Sequence, residues 1–63
     1  MNLKYINVMV SKKNTKKDVD TILSGETGAT ARMIEERKHG YLIRVGAPTT
    51  EQLQRIADAA TNL

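Results

Sequence analysis

The chain of 63 residues contains no cysteine, no tryptophan, no phenylalanine and only one proline. Without cysteine it has neither a disulfide framework nor a thiolate metal site, which are common supports of small proteins. Without Phe or Trp, its core has to be built from Ile, Val, Leu, Met and Ala. A domain of this length buries only about 60% of the surface that its unfolded chain exposes. We therefore predict one small domain over residues 1–63, supported by dimerisation or by contact with a parent domain.

Long apolar runs are also missing, which excludes a transmembrane helix and the core of a signal peptide. We expect cytoplasmic synthesis without membrane insertion, and delivery by another segment or by lysis if the protein acts at a cell wall. Ten basic residues against seven acidic ones give a net charge of +3. This mild charge favours anionic partners such as nucleic acid or cell-wall polymers, without choosing between them.

The first half of the chain predicts a strand followed by a helix. Apolar and polar residues alternate over residues 3–11, which is typical of a half-buried strand. The predicted inner face of this strand is Ile6, Val8 and Val10. A capping pair, Thr15 with Asp18, then starts a short helix that ends near Ser24, where Gly25 is a natural stop.

Residues 29–37 are ambiguous, because they contain good helix formers without a sustained helical stripe. As a strand, they continue through a turn at residues 37–40 into a strand over residues 41–45, with Gly40 in a left-handed, bulged turn. As a helix, they follow a G-x-x-G loop at residues 25–28 and give the minimal motif of a KH nucleic-acid-binding domain. The poor helical periodicity favours the hairpin.

The most regular pattern lies near the C-terminal end. Thr49 and Gln52 match a capping box just after Pro48, and apolar positions from Leu53 to Leu63 follow a helical spacing. The element order is then β-α-β-β-α. We predict an α+β fold in which an antiparallel sheet carries two helices on one face, which is half of a ferredoxin-like layout.

Constellations typical of catalysis or metal binding are not recognisable in the sequence. His39 is the only histidine and has no ligand-spaced partner, which favours a solvated turn residue over a metal ligand. Ser11 and Ser24 have neither a base nor an orienting carboxylate at motif spacing. We therefore expect a protein that is not an enzyme, with no cofactor and no bound metal.

If the apolar face of the sheet meets the helices, the alternate residues project to the opposite side, which faces solvent in many antiparallel sheets. These residues are Tyr5, Asn7, Met9, Leu42 and Arg44. They suit a ligand with hydroxyl, amide and apolar ring surfaces, or else a covering partner subunit. Arg32 is a sixth candidate, since it belongs to a basic cluster with Arg37, Lys38, Arg44 and the lysines of residues 12–17. Such a cluster is typical of either an anion-binding patch or a solvated rim.

Two segments resemble the SPOR domain, a peptidoglycan-binding module in which helices back a sheet. Residues 5–11, Tyr-Ile-Asn-Val-Met-Val-Ser, with the Asn-Thr-Lys of residues 14–16, resemble the first strand of the family and its passage into the first helix. Residues 40–46, Gly-Tyr-Leu-Ile-Arg-Val-Gly, followed by a Thr-rich turn and a helix, resemble its second half. The resemblance implies that the outward face of the sheet binds glycan.

We therefore expect a non-catalytic module that binds cell-wall glycan, as in the C-terminal wall-binding piece of an endolysin or amidase with a parent catalytic domain. A KH-like or other small nucleic-acid-binding module is the alternative. A dimerisation or inhibitor domain is the third interpretation. For a homodimer, Met9 and Leu42 are the expected contacts.

Overall fold

The computed structural model describes residues 2–63. Its strands are β1 (Lys4–Ser11), β2 (Thr30–Glu36) and β3 (Gly40–Ala47), and its helices are α1 (Thr15–Leu23) and α2 (Thr50–Thr61). The strands form one sheet in the order β1-β3-β2, and both pairings are antiparallel. The predicted α+β fold and its element order are confirmed. No helix among the described residues is long and apolar enough to cross a membrane.

The turn from β1 into α1 differs in detail from the prediction. Asn14 is the N-cap residue and makes no side-chain capping bond. Thr15 already lies in the helix, and its hydroxyl donates to the carbonyl of Ser11 at 2.7 Å. The predicted capping pair of Thr15 with Asp18 is therefore wrong. The helix ends as predicted, with Gly25 in the left-handed region at a φ of 79°.

Residues 30–36 form a strand, so the predicted hairpin is confirmed. The helix that a KH-like motif requires in this segment does not form. The hairpin contains a bulge in β2, because Met33 pairs with Ile43 whereas Glu35, two residues further along β2, pairs with Leu42, only one residue from Ile43. Ile34 is therefore the extra residue, and the bulge lies within the strand and not in the turn.

Gly40 is not in the left-handed conformation that the sequence suggested. It is the buried first residue of β3 and pairs with Ser11 of β1. A Cβ at this position would overlap the carbonyl oxygen of Val10. Glycine is needed here because β1 and β3 approach each other closely, and not because of its backbone angles.

The core lies between the sheet and the two helices. Its buried apolar residues are Val8, Val10, Ile22, Ile43, Val45, Ala47, Leu53 and Ile56. The predicted inner face of β1 is confirmed, with Ile6 partly buried at its margin. Leu63, which was expected on the apolar face of the second helix, lies beyond the end of α2 and is 52% exposed.

The helices cover the sheet unevenly. Helix α2 packs against β1 and β3, and α1 packs against β1 and α2, whereas β2 makes few contacts with either helix. All of β2 is exposed. Met33 projects to the helix side, opposite the buried Ile43, yet it is 58% exposed. The β2 edge therefore lies beyond the helix layer, while the β1 edge is backed by it.

The loop between α1 and β2 is tied to α2. Thr49 caps α2 as predicted, and its Oγ1 accepts a hydrogen bond from the Gln52 N–H at 3.1 Å. The Gln52 side chain donates to the carbonyl of Thr27 at 2.9 Å. Arg55 donates two hydrogen bonds to the carboxylate of Glu26, at 2.9 and 3.0 Å. The G-x-x-G segment thus anchors the loop to the helix layer.

We predict that Gly40→Ala lowers the free energy of unfolding by about 3 kcal/mol, because the new methyl group overlaps the backbone of β1. Urea denaturation measures this loss. Gly25→Ala is the control, since a Cβ there meets no atom within 4 Å and only the left-handed conformation costs stability, by about 1 kcal/mol. A loss at Gly40 no larger than that at Gly25 would contradict the close approach.

The ion pair of Glu26 with Arg55 predicts a pH dependence of stability. Hydrogen bonding by Arg55 holds the pKa of Glu26 below its ordinary value of 4.5. A carboxyl with a lower pKa in the folded chain stabilises the fold at neutral pH, and this contribution is lost as the pH falls through the lowered value. Glu26→Gln should be less stable than the wild type at neutral pH, with the difference shrinking as the pH falls from the ordinary value of 4.5 through the lowered pKa of Glu26.

Thermal unfolding across a pH series tests this expectation. Asp20→Asn is the control, because it removes a carboxylate from the exposed surface of α1 without breaking an ion pair of the described residues, and at neutral pH it should be as stable as the wild type. A Glu26→Gln curve that runs parallel to that of the wild type at every pH would show that the ion pair contributes nothing to folding.

Candidate functional site

The face of the sheet turned away from the helices, here called the open face, carries all six residues that the sequence predicted to bind a ligand. They are Tyr5, Asn7 and Met9 on β1, Leu42 and Arg44 on β3, and Arg32 on β2. Their neighbours along each strand point to the helix side, as the alternation requires. Leu42 is half-buried and the other five are exposed. Their shared location is a structural fact, whereas their binding role stays a prediction.

The strand register arranges the open face in three rows that cross the sheet. The first row is Tyr5, Gly46 and Thr30. The second row is Asn7, Arg44 and Arg32. The third row is Met9, Leu42 and Glu35. Successive rows lie about 7 Å apart, because two residues of a strand rise by about twice 3.3 Å.

The ring of Tyr5 lies across the backbone of Gly46. A Cβ at Gly46 would be 2.7 Å from the Cε1 atom and 3.0 Å from the Cδ1 atom of Tyr5. Gly46 is buried, while Tyr5 is 58% exposed. The glycine therefore lets an aromatic ring rest against β3 and still present much of its surface to solvent. Gly46 was not among the residues predicted for the site, although a glycine within a strand often marks a close approach of another group.

The two arginines of the open face lie directly opposite each other on neighbouring strands. Within residues 2–63, neither Arg32 nor Arg44 forms an ion pair or a side-chain hydrogen bond with an acidic residue. Glu35, in the next row, instead accepts a hydrogen bond from Arg37 at 2.9 Å. Like charges opposite each other in a sheet are destabilising, by roughly 0.2–1 kcal/mol. The pair is thus a local positive charge that lacks an internal counter-charge.

The other members of the predicted basic cluster are arranged differently. Lys12 forms an ion pair with Glu36 at 2.8 Å, and its ammonium lies 5.7 Å from the centre of the Tyr41 ring. The hydrogen bond from Lys12 lowers the pKa of the Glu36 carboxyl below its ordinary value. Since Tyr41 pairs with the buried Val10, the group formed by Lys12, Glu36 and Tyr41 lies on the helix side of the sheet.

Apolar surface flanks the row of polar side chains on both sides. Tyr5 lies in the row before it, and Met9 with Leu42 in the row after it. Met9 is 46% exposed. A ligand lying along the strands would meet an aromatic ring, then an amide and two guanidinium groups, then aliphatic surface. Such a face can combine apolar packing with charge-assisted hydrogen bonds to an anionic oxygen.

His39 lies exposed in the turn between β2 and β3. Among the described residues, no group of three or more His, Cys, Asp or Glu side chains lies close enough together to hold a metal ion. The absence of a metal, a cofactor and a catalytic role stays a prediction.

Comparisons with known proteins yield no relative of this chain. No protein-family model matches it, and neither a curated protein nor a solved structure does. The resemblance to the SPOR domain therefore stays a hypothesis, and the open face has to be interpreted from its own side chains.

We predict that Arg32→Gln and Arg44→Gln each leave the free energy of unfolding unchanged or raise it by up to about 1 kcal/mol, because each removes a like-charge contact. The gain should shrink in high salt, which screens exposed charges. Urea denaturation at low and high ionic strength measures both effects. A loss of stability in either variant would mean that the arginines support the fold, and would weaken their assignment to a ligand.

Proposed function

We propose that this chain is a non-catalytic module that binds cell-wall glycan on its open face. One observation carries the proposal. Arg32 and Arg44 lie side by side on an exposed sheet surface without an acidic partner. Their repulsion costs stability in the free protein, and an anionic group of a ligand removes that cost. The neighbouring rows supply the apolar and amide surface that a sugar polymer needs.

Each group of the open face has a counterpart in a peptidoglycan-type glycan. The apolar face of a sugar ring packs on the exposed ring of Tyr5. The acetamido group of an N-acetylated sugar exchanges hydrogen bonds with the side-chain amide of Asn7. A sugar carboxylate accepts hydrogen bonds from Arg44 and Arg32, which can bind it bidentately. The three contacts are apolar, amide-specific and charge-assisted, so together they select for a glycan that is both acetylated and acidic.

The shape of the open face suits a polymer. Strand β1 has eight residues, and at about 3.3 Å per residue it is roughly 26 Å long. This length accommodates several sugar units. Because each row contributes a weak contact, affinity would arise from several units bound at once, as is expected of a module that holds a catalytic domain of a lysin or amidase near its insoluble substrate.

A nucleic-acid-binding module is the second candidate, because a pair of arginines also suits a phosphodiester group. Two features make it the weaker one. Tyr5 is the only aromatic side chain of the open face, and base stacking supplies much of the binding energy for single strands. The lysines of residues 12–17 lie at the start of α1 and in the turn before it, and not on the strands that carry the arginine pair.

We predict that Arg44→Gln weakens binding to purified peptidoglycan by about 1.5–3 kcal/mol, the range for a hydrogen bond to a charged group. Tyr5→Ala should weaken binding as well, through lost packing on the sugar ring. Co-sedimentation with insoluble peptidoglycan, and calorimetry with soluble glycan fragments, measure these effects. Lys16→Gln is the matched control, since it removes one positive charge from the exposed surface of α1 and should bind like the wild type.

A gel-shift titration with DNA and RNA across a salt series separates the two candidates. Binding to nucleic acid that weakens steeply with salt, together with a loss in Lys16→Gln, would favour the second candidate. If the folded chain bound no wall material, the proposed function would be wrong. If binding survived in the combined variant of Tyr5, Asn7 and Arg44, the location of the site would be wrong.

A further inference from the structure

The two edges of the sheet differ in their protection against an added strand. Strand β2 has a bulge at Ile34 and three charged residues. These are Arg32, Glu35 and Glu36. Bulges and charges are common devices against edge-to-edge pairing. Strand β1 has no proline, and its register with β3 runs unbroken from Lys4 to Ser11. From Tyr5 to Ser11 it carries no charged side chain, so β1 is the less protected edge.

A groove follows this free edge. It is lined by Asn7, Val8 and Met9 of β1 and by Ala57, Ala60 and Thr61 of α2. All six side chains are uncharged, and the three from α2 are small. The backbone of an added strand would meet the edge of β1, while its side chains on the helix side would meet the alanines of α2.

A second copy of the chain fits this groove when the two copies are related by a two-fold axis perpendicular to the sheet. Helix α2 packs on both β1 and β3, so we place its axis over the gap between those strands. The two copies of α2 would then lie about two strand spacings apart, roughly 10 Å, which is a normal distance for packed helices. The small side chains of Ala57 and Ala60 permit that approach.

The side chains that would meet across this axis are also compatible. A two-fold axis perpendicular to the sheet keeps both open faces on the same side. The two copies of β1 would pair with each other in antiparallel fashion. If Asn7 lies opposite the partner's Asn7, then Tyr5 lies opposite the partner's Met9, and Ile6 lies opposite the partner's Val8. Apolar pairs of this kind stabilise an antiparallel sheet, and no like charges meet between Tyr5 and Met9.

We propose that the free edge of β1 and the adjoining flank of α2 form a self-association surface, on which two copies join into one six-stranded sheet. This arrangement differs from a dimer that buries Met9 and Leu42 face to face, because it leaves the open faces uncovered and places them side by side. It does not depend on which ligand the open face binds.

The test compares Ala60→Glu with Met33→Glu by sedimentation equilibrium over micromolar to millimolar concentrations. The wild type should dimerise, and Ala60→Glu should weaken the dimer at least tenfold, because it places two carboxylates across the axis. Met33→Glu adds the same charge to an exposed side chain on the opposite edge and should dimerise like the wild type. Circular dichroism establishes that both variants are folded.

Amide hydrogen exchange of the wild type supplies a second measurement that requires no variant. The β1 amides that point away from β3 should exchange rapidly in the monomer and become protected as the concentration rises. A wild type that stays monomeric at millimolar concentration would overturn the proposal. So would a dimer that resists Ala60→Glu but is lost in Met33→Glu, or one that is lost in Leu42→Ser, since these results indicate the β2 edge or the open face instead.

Discussion

Strand β3 is paired along both of its edges, and a strand in that position cannot slip by one residue without turning its buried side chains to solvent. Ile43, Val45 and Ala47 enter the core between the sheet and the helices. The residues between them are thereby fixed on the open face. The same register places Arg44 beside Arg32 and lays Gly46 under Tyr5. The burial of three aliphatic side chains thus determines the geometry of the candidate site.

The burial of these β3 side chains explains how a small hydrophobic core tolerates the repulsion between Arg32 and Arg44 on the open face. The arginine pair lies on the outward side of residues that are held by burial on the inward side, so the repulsion cannot be relieved by a shift in register. The cost is a fraction of the stabilisation from burying one aliphatic side chain, about 1.5–3 kcal/mol. Acidic residues occur nearby, but Glu35 and Glu36 pair with Arg37 and Lys12. Neither of these acidic residues therefore neutralises the arginine pair.

Much of the fold could be predicted from the sequence, because short-range patterns determine it. The alternation in β1 and the capping box at Thr49 each involve neighbours within a few residues. Two of the failed details depend on distant contacts. The bulge at Ile34 reflects pairing with β3, and Gly40 is required by the carbonyl of Val10 and not by its own backbone angles. Five of the six candidate residues follow from alternation and Arg32 from the basic cluster, whereas the place of Gly46 under Tyr5 required the register.

The open face and the free edge of β1 use different parts of one strand. Side chains stand perpendicular to the sheet, whereas the hydrogen-bonding groups of the backbone lie in its plane. A strand can therefore contribute Tyr5 and Asn7 to a ligand while its backbone pairs with another copy. In the proposed dimer the two open faces become one continuous surface, and a polymer bound to the first copy is already close to the second. The second contact then forms at a high effective concentration, so a small protein with weak individual contacts could hold a repetitive ligand firmly.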